Sequence, residues 1–405
     1  MEKTFRNIVV QYLALRFISS FGTALISATY VTFLLTKGLN LFEVNLVNFV
    51  FFTTLFISEI PTGAFADVFG RKLSFVLSCF ITSAGMFIYS AADSFWFFAI
   101  AEATAALGST FSSGAFQAWL VDRLENLGYR GPMERIFSKE QQIKSASAII
   151  AAILGAFASD LNMSLPWILG GLIAFIAGSS AAIFMKEEKV KRHRTSFKKG
   201  VQNMREIVNS SLKYSQENNS VRFLLTIGIV QYFAVQAPNM QWQPFFMHFL
   251  NDKSSLGFIF SGISAAIILG SYLAPKISRR IKDEKAIIVT SEVIVGLGIC
   301  STILLKSIVP AVTVFLIHEA ARGLINPLKD TYFNNNIPSN ERATLLSFEA
   351  LSHHLGGMIG LLVSGFLAEY FSLKSAWISS GLILVIFVLI FSKKGKGNPE
   401  KQAAR

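Results

Sequence analysis

The sequence predicts an all-α integral membrane protein with twelve transmembrane helices in two six-helix bundles, on three observations. The 405 residues are 52% hydrophobic and 15% charged, with mean hydropathy +0.50. Soluble domains carry roughly 25% charged residues, so lipid rather than water is the expected solvent. Apolar runs of about 20 residues recur along almost the whole length, each long enough to cross roughly 30 Å of hydrocarbon as a helix. Finally, the basic residues fall between those runs and alternate strongly in number from one connector to the next.

In chain order, spans are expected near residues 8–35, 41–62, 73–92, 95–120, 143–161 and 165–185, then 222–250, 255–275, 286–305, 309–329, 343–370 and 375–392. The first has Lys3 and Arg6 before it, is too long for a signal-peptide core and shows no obvious cleavage site, so it is expected to remain as a helix. An even number of spans puts both termini on one side. The termini and connectors of that side hold 31 Lys and Arg, while the other side holds only Lys37, Lys253, Lys306 and Lys374. By the positive-inside rule, both termini are expected in the cytoplasm. The longest connector separates six spans from six, giving expected domains at 1–185, a linker at 186–221, a second bundle at 222–392 and a basic tail at 393–405. In the linker, Val201, Met204, Val208 and Leu212 recur at helical spacing beside basic residues, a pattern that suits either a surface-lying helix on an anionic leaflet or a solvated one.

The net charge of +12 follows from this topology, because the basic residues lie in short connectors and form no single soluble face for nucleic acid. Cys79 and Cys300 lie about 220 residues apart in separate spans, so they suggest packing rather than a disulfide or metal pair.

Between spans 2 and 3 the chain reads Gly63-Ala-Phe-Ala-Asp67-Val-Phe-Gly70-Arg71-Lys72. This resembles the loop signature of the major facilitator superfamily of secondary transporters, Gly-x-x-x-Asp-x-x-Gly-Arg-Lys, and the span layout extends the resemblance over nearly the whole chain. The resemblance implies alternating access by two related halves, each built of inverted three-helix repeats. It also implies a conformational latch. Gly63 would allow close helix approach and Gly70 a tight turn. Asp67 would face the positive N-terminal end of span 11 near Arg342 to Thr344, while Arg71, beside Lys72, would reach Asp122 at the cytoplasmic end of span 4. Ala274 to Asp283 after span 8 looks like a degraded copy of this loop, and Pro338 to Thr344 is similar to the start of span 11 in family members.

The same resemblance implies that spans 1, 4, 7 and 10 line a central cavity, and the membrane-embedded polar residues gather there. At 1.5 Å per residue, Arg16 lies about 12 Å into span 1, Glu102 about 10 Å into span 4 and Glu319 about 15 Å into span 10. Gln231, Gln236, Asn239, Gln241 and Trp242 follow in span 7, and His318, Arg322 and Asn326 in span 10. A charge at the bilayer centre costs at least about 2.5–3.5 kcal/mol, so such residues mark function more often than chance placement. Glu102 and Glu319 are the candidate proton carriers. Arg16, Gln231, Gln236, Asn239, Trp242, His318, Arg322 and Asn326 are candidates for substrate binding. Glu319 and Arg322 also share a helix face and can neutralise one another in place. Glu59, Glu292, Glu349, His353 and His354 rank lower.

Drug/proton antiporters of the family usually carry a Gly-Pro pair in span 5, whereas residues 148–158 contain Gly155 and no proline. They also often place an arginine four residues before a glycine in span 4, where this chain has Thr104 before Gly108. The expected activity is proton-coupled efflux of a small amphipathic or drug-like molecule, with uptake or facilitated passage of a polar or anionic metabolite as the alternative. A lipid-handling protein or membrane enzyme is a remote third, since no nucleophile–base constellation, metal box or phosphate-binding loop appears. No cofactor is called for. The expected partners are the substrate, protons and the bilayer; a monomer suffices, and the short loops point to a bacterial inner membrane.

Overall fold

The computed structural model describes residues 2–187, 207–208, 210–337 and 342–394, and every regular element among them is helical. The chain divides into two compact units, Met1–Gly200 with Leu250–Ser261, and Val201–Phe249 with Gly262–Arg405.

In the first unit the helices are α1 (Glu2–Ala24), α2 (Tyr30–Thr36), α3 (Leu41–Phe69), α4 (Arg71–Ala91), α5 (Phe95–Ser112), α6 (Ala115–Asn126), α7 (Met133–Leu161) and α8 (Leu165–Phe184). Asn40 and Glu43 form a capping box at the start of α3, each side chain accepting from the other's backbone N–H at 2.9 Å. The connection from α3 to α4 is the single residue Gly70, at φ +107, a backbone region that L side chains rarely adopt. Gly114, at φ +70, separates α5 from α6.

The second unit carries α9 (Asn219–Ala234), α10 (Gln236–Met247), α11 (Ser254–Arg280), α12 (Glu284–Thr302), α13 (Ile308–Asn336), α14 (Arg342–Tyr370) and α15 (Leu373–Lys394), with the division between units falling inside α11. Asn218 caps α9 by accepting from the N–H groups of Ser220 and Val221, and Asp283 caps α12 by accepting from Ala286.

Ten helical segments among the described residues are long and apolar enough to cross a membrane. The first and fourth expected spans are not among these ten, and each is interrupted. α1 and α2 are parted at residues 25–29, and α5 and α6 at Ser113–Gly114. Polar residues dilute both: Lys3, Arg6 and Arg16 lie in α1, and Glu102 lies in α5.

The two units share a set of helix neighbours. In the first, α4 packs on α5 and α8, and α1 packs on α7 and α8. In the second, α12 packs on α13 and α15, and α9 packs on α14 and α15. Span for span these are the same neighbours, as expected of two related halves. The core of the first unit stacks Phe116 between Tyr12 and Phe75, at centroid distances of 4.6 and 3.8 Å. Outward-facing side chains such as Ile57, Phe175, Ile183 and Val309 stay exposed, as hydrocarbon-facing positions should.

Several boundaries differ from those expected, mostly because a helix continues past its apolar run. α7 begins at Met133 rather than 143, and α13 runs to Asn336 rather than 329. Charged residues end an apolar run without ending a helix, since backbone hydrogen bonding is indifferent to side-chain polarity. The degraded loop copy is also helical, with Pro275 inside α11 and the helix continuing to Arg280. Residues 338–341 of the span 11 motif, and Val201 and Met204 of the linker, lie outside the described residues. Val208 and Leu212 fall in helical stretches at 207–208 and 210–217.

Candidate functional site

The first unit holds a cavity of ≈ 440 Å³ whose wall combines opposite charges with aromatic rings. α1 contributes Arg16, Ser19, Ser20 and Thr23; α5 contributes Glu102, Ser109 and Ser112; Tyr30, Tyr89 and Trp167 arrive from α2, α4 and α8.

Arg16 is held from behind. Its Nε lies 2.7 Å from Glu140 Oε1, and its guanidinium carbon is 4.7 Å from the Phe116 ring centroid. Glu140 is 3% exposed, and its Oε2 also accepts from the Tyr12 hydroxyl at 2.5 Å and Gln117 Nε2 at 3.2 Å. A carboxylate this deep is tolerable because charge and hydrogen bonds both meet it. Glu102 has a different setting. It accepts a hydrogen bond from the Tyr89 hydroxyl, and Tyr89 stacks on Trp167 at 4.0 Å. Among the described residues no cation lies within ion-pair distance of Glu102.

In the second unit Glu319 is 2% exposed and lies between two partners on its own helix. Arg322 Nη1 is 3.2 Å from Oε1, and His318 Nε2 is also 3.2 Å from it. Arg322 donates in addition to Asn239 Oδ1 on α10 at 2.9 Å, joining two of the expected site residues. Gln231 and Gln236 are buried, as is Trp242, while Asn326 is exposed. Gln236 donates to Tyr232 O, and Gln241 to Ser364 O.

The loop signature has a definite geometry. Arg71 Nη1 is 2.5 Å from Asp122 Oδ2 and donates to Ala118 O at 2.8 Å. Lys72 Nζ donates to Ala182 O, and its backbone N–H donates to Glu187 Oε1 at 3.0 Å. Asp67 is exposed. Among the described residues a Cβ at Gly63 would meet nothing within 4 Å in this structure. One close approach is at Gly155, where a Cβ would collide with the Leu25 carbonyl beside the α1/α2 interruption. Gly70 is constrained twice, by its positive φ and by the Glu187 carboxylate occupying the space of a side chain. Gly70→Ala is expected to destabilise by about 1–2 kcal/mol, read as a lower unfolding temperature in detergent. An unchanged unfolding temperature would show that the turn relaxes freely.

Several residues of these sites were not legible from the sequence. Glu140 falls in the expected connector before span 5 and Lys144 at the start of that span, yet both lie on α7, and Lys144 lines the cavity. Lys329, the last residue of the expected span 10, is 3% exposed within α13, 4.0 Å from Glu349 Oε1. His353 Nε2 approaches the same carboxylate at 3.6 Å. Glu292 is fully buried, with neither carboxyl oxygen hydrogen-bonded among the described residues.

The family model of the Major Facilitator Superfamily matches residues 12–291 and 224–405. The chain belongs to that superfamily. This major facilitator is 24% identical over 380 residues to the uncharacterized MFS-type transporter YxaM of Bacillus subtilis (strain 168), covering 90% of each chain. It is 25% identical over 327 residues to the multidrug resistance protein MdtH of Blochmanniella pennsylvanica (strain BPEN), covering 76% of this chain and 72% of that one. Its fold matches the crystal structure of the nucleoside transporter NupG with TM-score 0.79 at 12% identity, over 97% of this chain and 100% of the other. A D-xylose-proton symporter matches with TM-score 0.70 at 14% identity, over 96% and 99%. The protein is therefore a multi-pass membrane transporter of the secondary, major facilitator type.

Proposed function

We propose that this transporter moves a small amphipathic molecule through the first-unit cavity in exchange for protons, with Glu102 as the coupling acid. The observation that carries the reading is the setting of Glu102. It lines the cavity, and its hydrogen-bond partners among the described residues, Tyr89 and Tyr30, are neutral hydroxyls. A coupling acid must gain and lose a proton during the cycle, and a carboxylate without a fixed cation has no permanent charge holding it in one state. Glu319, the other candidate, is committed to Arg322 and His318 and fits a structural pair. The likeness to MdtH supports efflux as the direction. The hydroxyls of Ser19, Ser20, Ser109 and Ser112 along the cavity wall favour a second reading, uptake of a more polar solute.

The remaining assignments follow from that cycle. Asp67 with the Arg71–Asp122 pair acts as the latch that opens when the halves exchange access, both termini face the cytoplasm, and the domains are the two bundles joined by the 186–221 linker. Gln231, Gln236, Asn239, Trp242, His318, Arg322 and Asn326 supply the second half's polar surface.

The test is reconstitution into liposomes enclosing a pH-sensitive dye, followed by a screen of chemically diverse solutes. Solute-dependent proton flux is the expected result. Solute movement without proton flux would replace the reading with facilitated or otherwise coupled passage.

A further inference from the structure

Arg16 and Lys144 give the cavity an electrostatic polarity that Glu102 alone does not explain. The Arg16 Nε is committed to Glu140, while the Arg16 side chain, 15% exposed, lines the cavity. Lys144, one turn beyond Glu140 on α7, is exposed and lines the same cavity; its Nζ has no hydrogen bond or ion pair among the described residues. Glu140 offsets the charge of Arg16 from behind the wall, leaving the Lys144 ammonium as a cation with no fixed counter-charge. Ser112, at the end of α5, lines the cavity too.

The opposite end is set by Glu102 with Tyr30, Tyr89 and Trp167. Glu102 and Ser112 are ten residues apart on one helix, so the two ends are separated by roughly 15 Å at 1.5 Å per residue. Such a wall suits a solute with an apolar or aromatic body and one anionic head. Guanidinium donors match the two oxygens of a carboxylate or phosphate, and a lysine adds a mobile point charge.

The geometry points to an organic-anion subsite in this cavity, in which Arg16 and Lys144 bind the carboxylate or phosphate of an amphipathic substrate whose apolar body lies toward Tyr89 and Trp167. The inference rests on the reading of this cavity as the transport site and adds the charge of the substrate. Lys144 becomes the specificity-determining residue. Arg16 is fixed by Glu140 and Phe116, whereas Lys144 has no other side-chain partner among the described residues.

The experiment is equilibrium binding to the purified full chain of three radiolabelled probes of matched size: 1-naphthoate, 1-naphthamide and 1-naphthylmethylammonium. Naphthoate is expected to bind about tenfold more tightly than either of the others, and Lys144→Gln to remove most of that preference. Lys144→Glu is expected to shift preference from naphthoate toward naphthylmethylammonium, a reversal that a merely structural lysine would not produce. Equal affinity for the three probes, no saturable naphthoate binding, or an anion-to-cation ratio unmoved by Lys144→Glu would each overturn the inference. The proton-flux assay separates the two readings. Glu102-dependent flux driven by the amide but not by naphthoate removes the anion subsite and leaves proton coupling standing. Naphthoate binding that obeys the charge rule without any flux does the reverse.

Discussion

Arg16→Met is expected to destabilise the protein by about 3–5 kcal/mol, the range for stranding one member of a buried ion pair. The carboxylate left behind is the costly part, because Glu140 is 3% exposed while the Arg16 side chain, at 15%, borders a cavity that admits water. Tyr12 and Gln117 would remain as neutral donors, and hydrogen bonds between membrane helices average only about 0.6 kcal/mol, too little to replace the lost charge. Glu140→Gln is expected to cost less, because the guanidinium can turn toward cavity water. The double variant Arg16→Met/Glu140→Gln should be more stable than Arg16→Met alone. Unfolding of all four proteins in one detergent tests this; effects additive within about 0.5 kcal/mol would mean that the pair is not coupled.

Glu102→Gln is expected to reduce solute-driven proton flux to background while preserving exchange of labelled for unlabelled solute across the liposome membrane. The amide can still accept from Tyr89, so the wall keeps its shape and loses only its titratable proton. Glu319→Gln is expected to behave differently. It removes the counter-charge of Arg322, whose remaining hydrogen bond is to Asn239, so protein yield and stability should fall while the proton-to-solute ratio stays constant. Full proton flux in Glu102→Gln would end the assignment, and a ratio altered by Glu319→Gln would transfer it to Glu319.

The fold was legible because the strongest constraint on a membrane chain is carried by composition: a helix in hydrocarbon must satisfy its own backbone, so apolar length and helix coincide. That rule is weakest where the site is. α1 and α5 carry Arg16 and Glu102, and neither meets the simple apolar criterion. The Gly-Arg-Lys turn was readable because Gly70 needs φ +107 and Arg71 must reach a neighbouring helix, both local demands. Glu140 was not, because its role comes from contacts with Tyr12 and Arg16 more than 120 residues away, and sequence spacing carries no trace of them. The burial of Lys329 was hidden for a related reason. A lysine near the end of an apolar run looks like a topology marker until packing from α14 encloses it.

Glu187 has a practical consequence for anyone who wishes to divide or tag this protein. Its carboxylate fills the space beside Gly70 and accepts from Lys72, and the preceding Lys186 carbonyl accepts from Trp119 Nε1 at 3.0 Å. The first bundle is thus fastened through Glu187, beyond the last turn of its sixth span. A split protein, or one with a reporter inserted between its halves, should be cut downstream of Glu187; a junction at Met185 would detach the strap that seals the Gly70 turn.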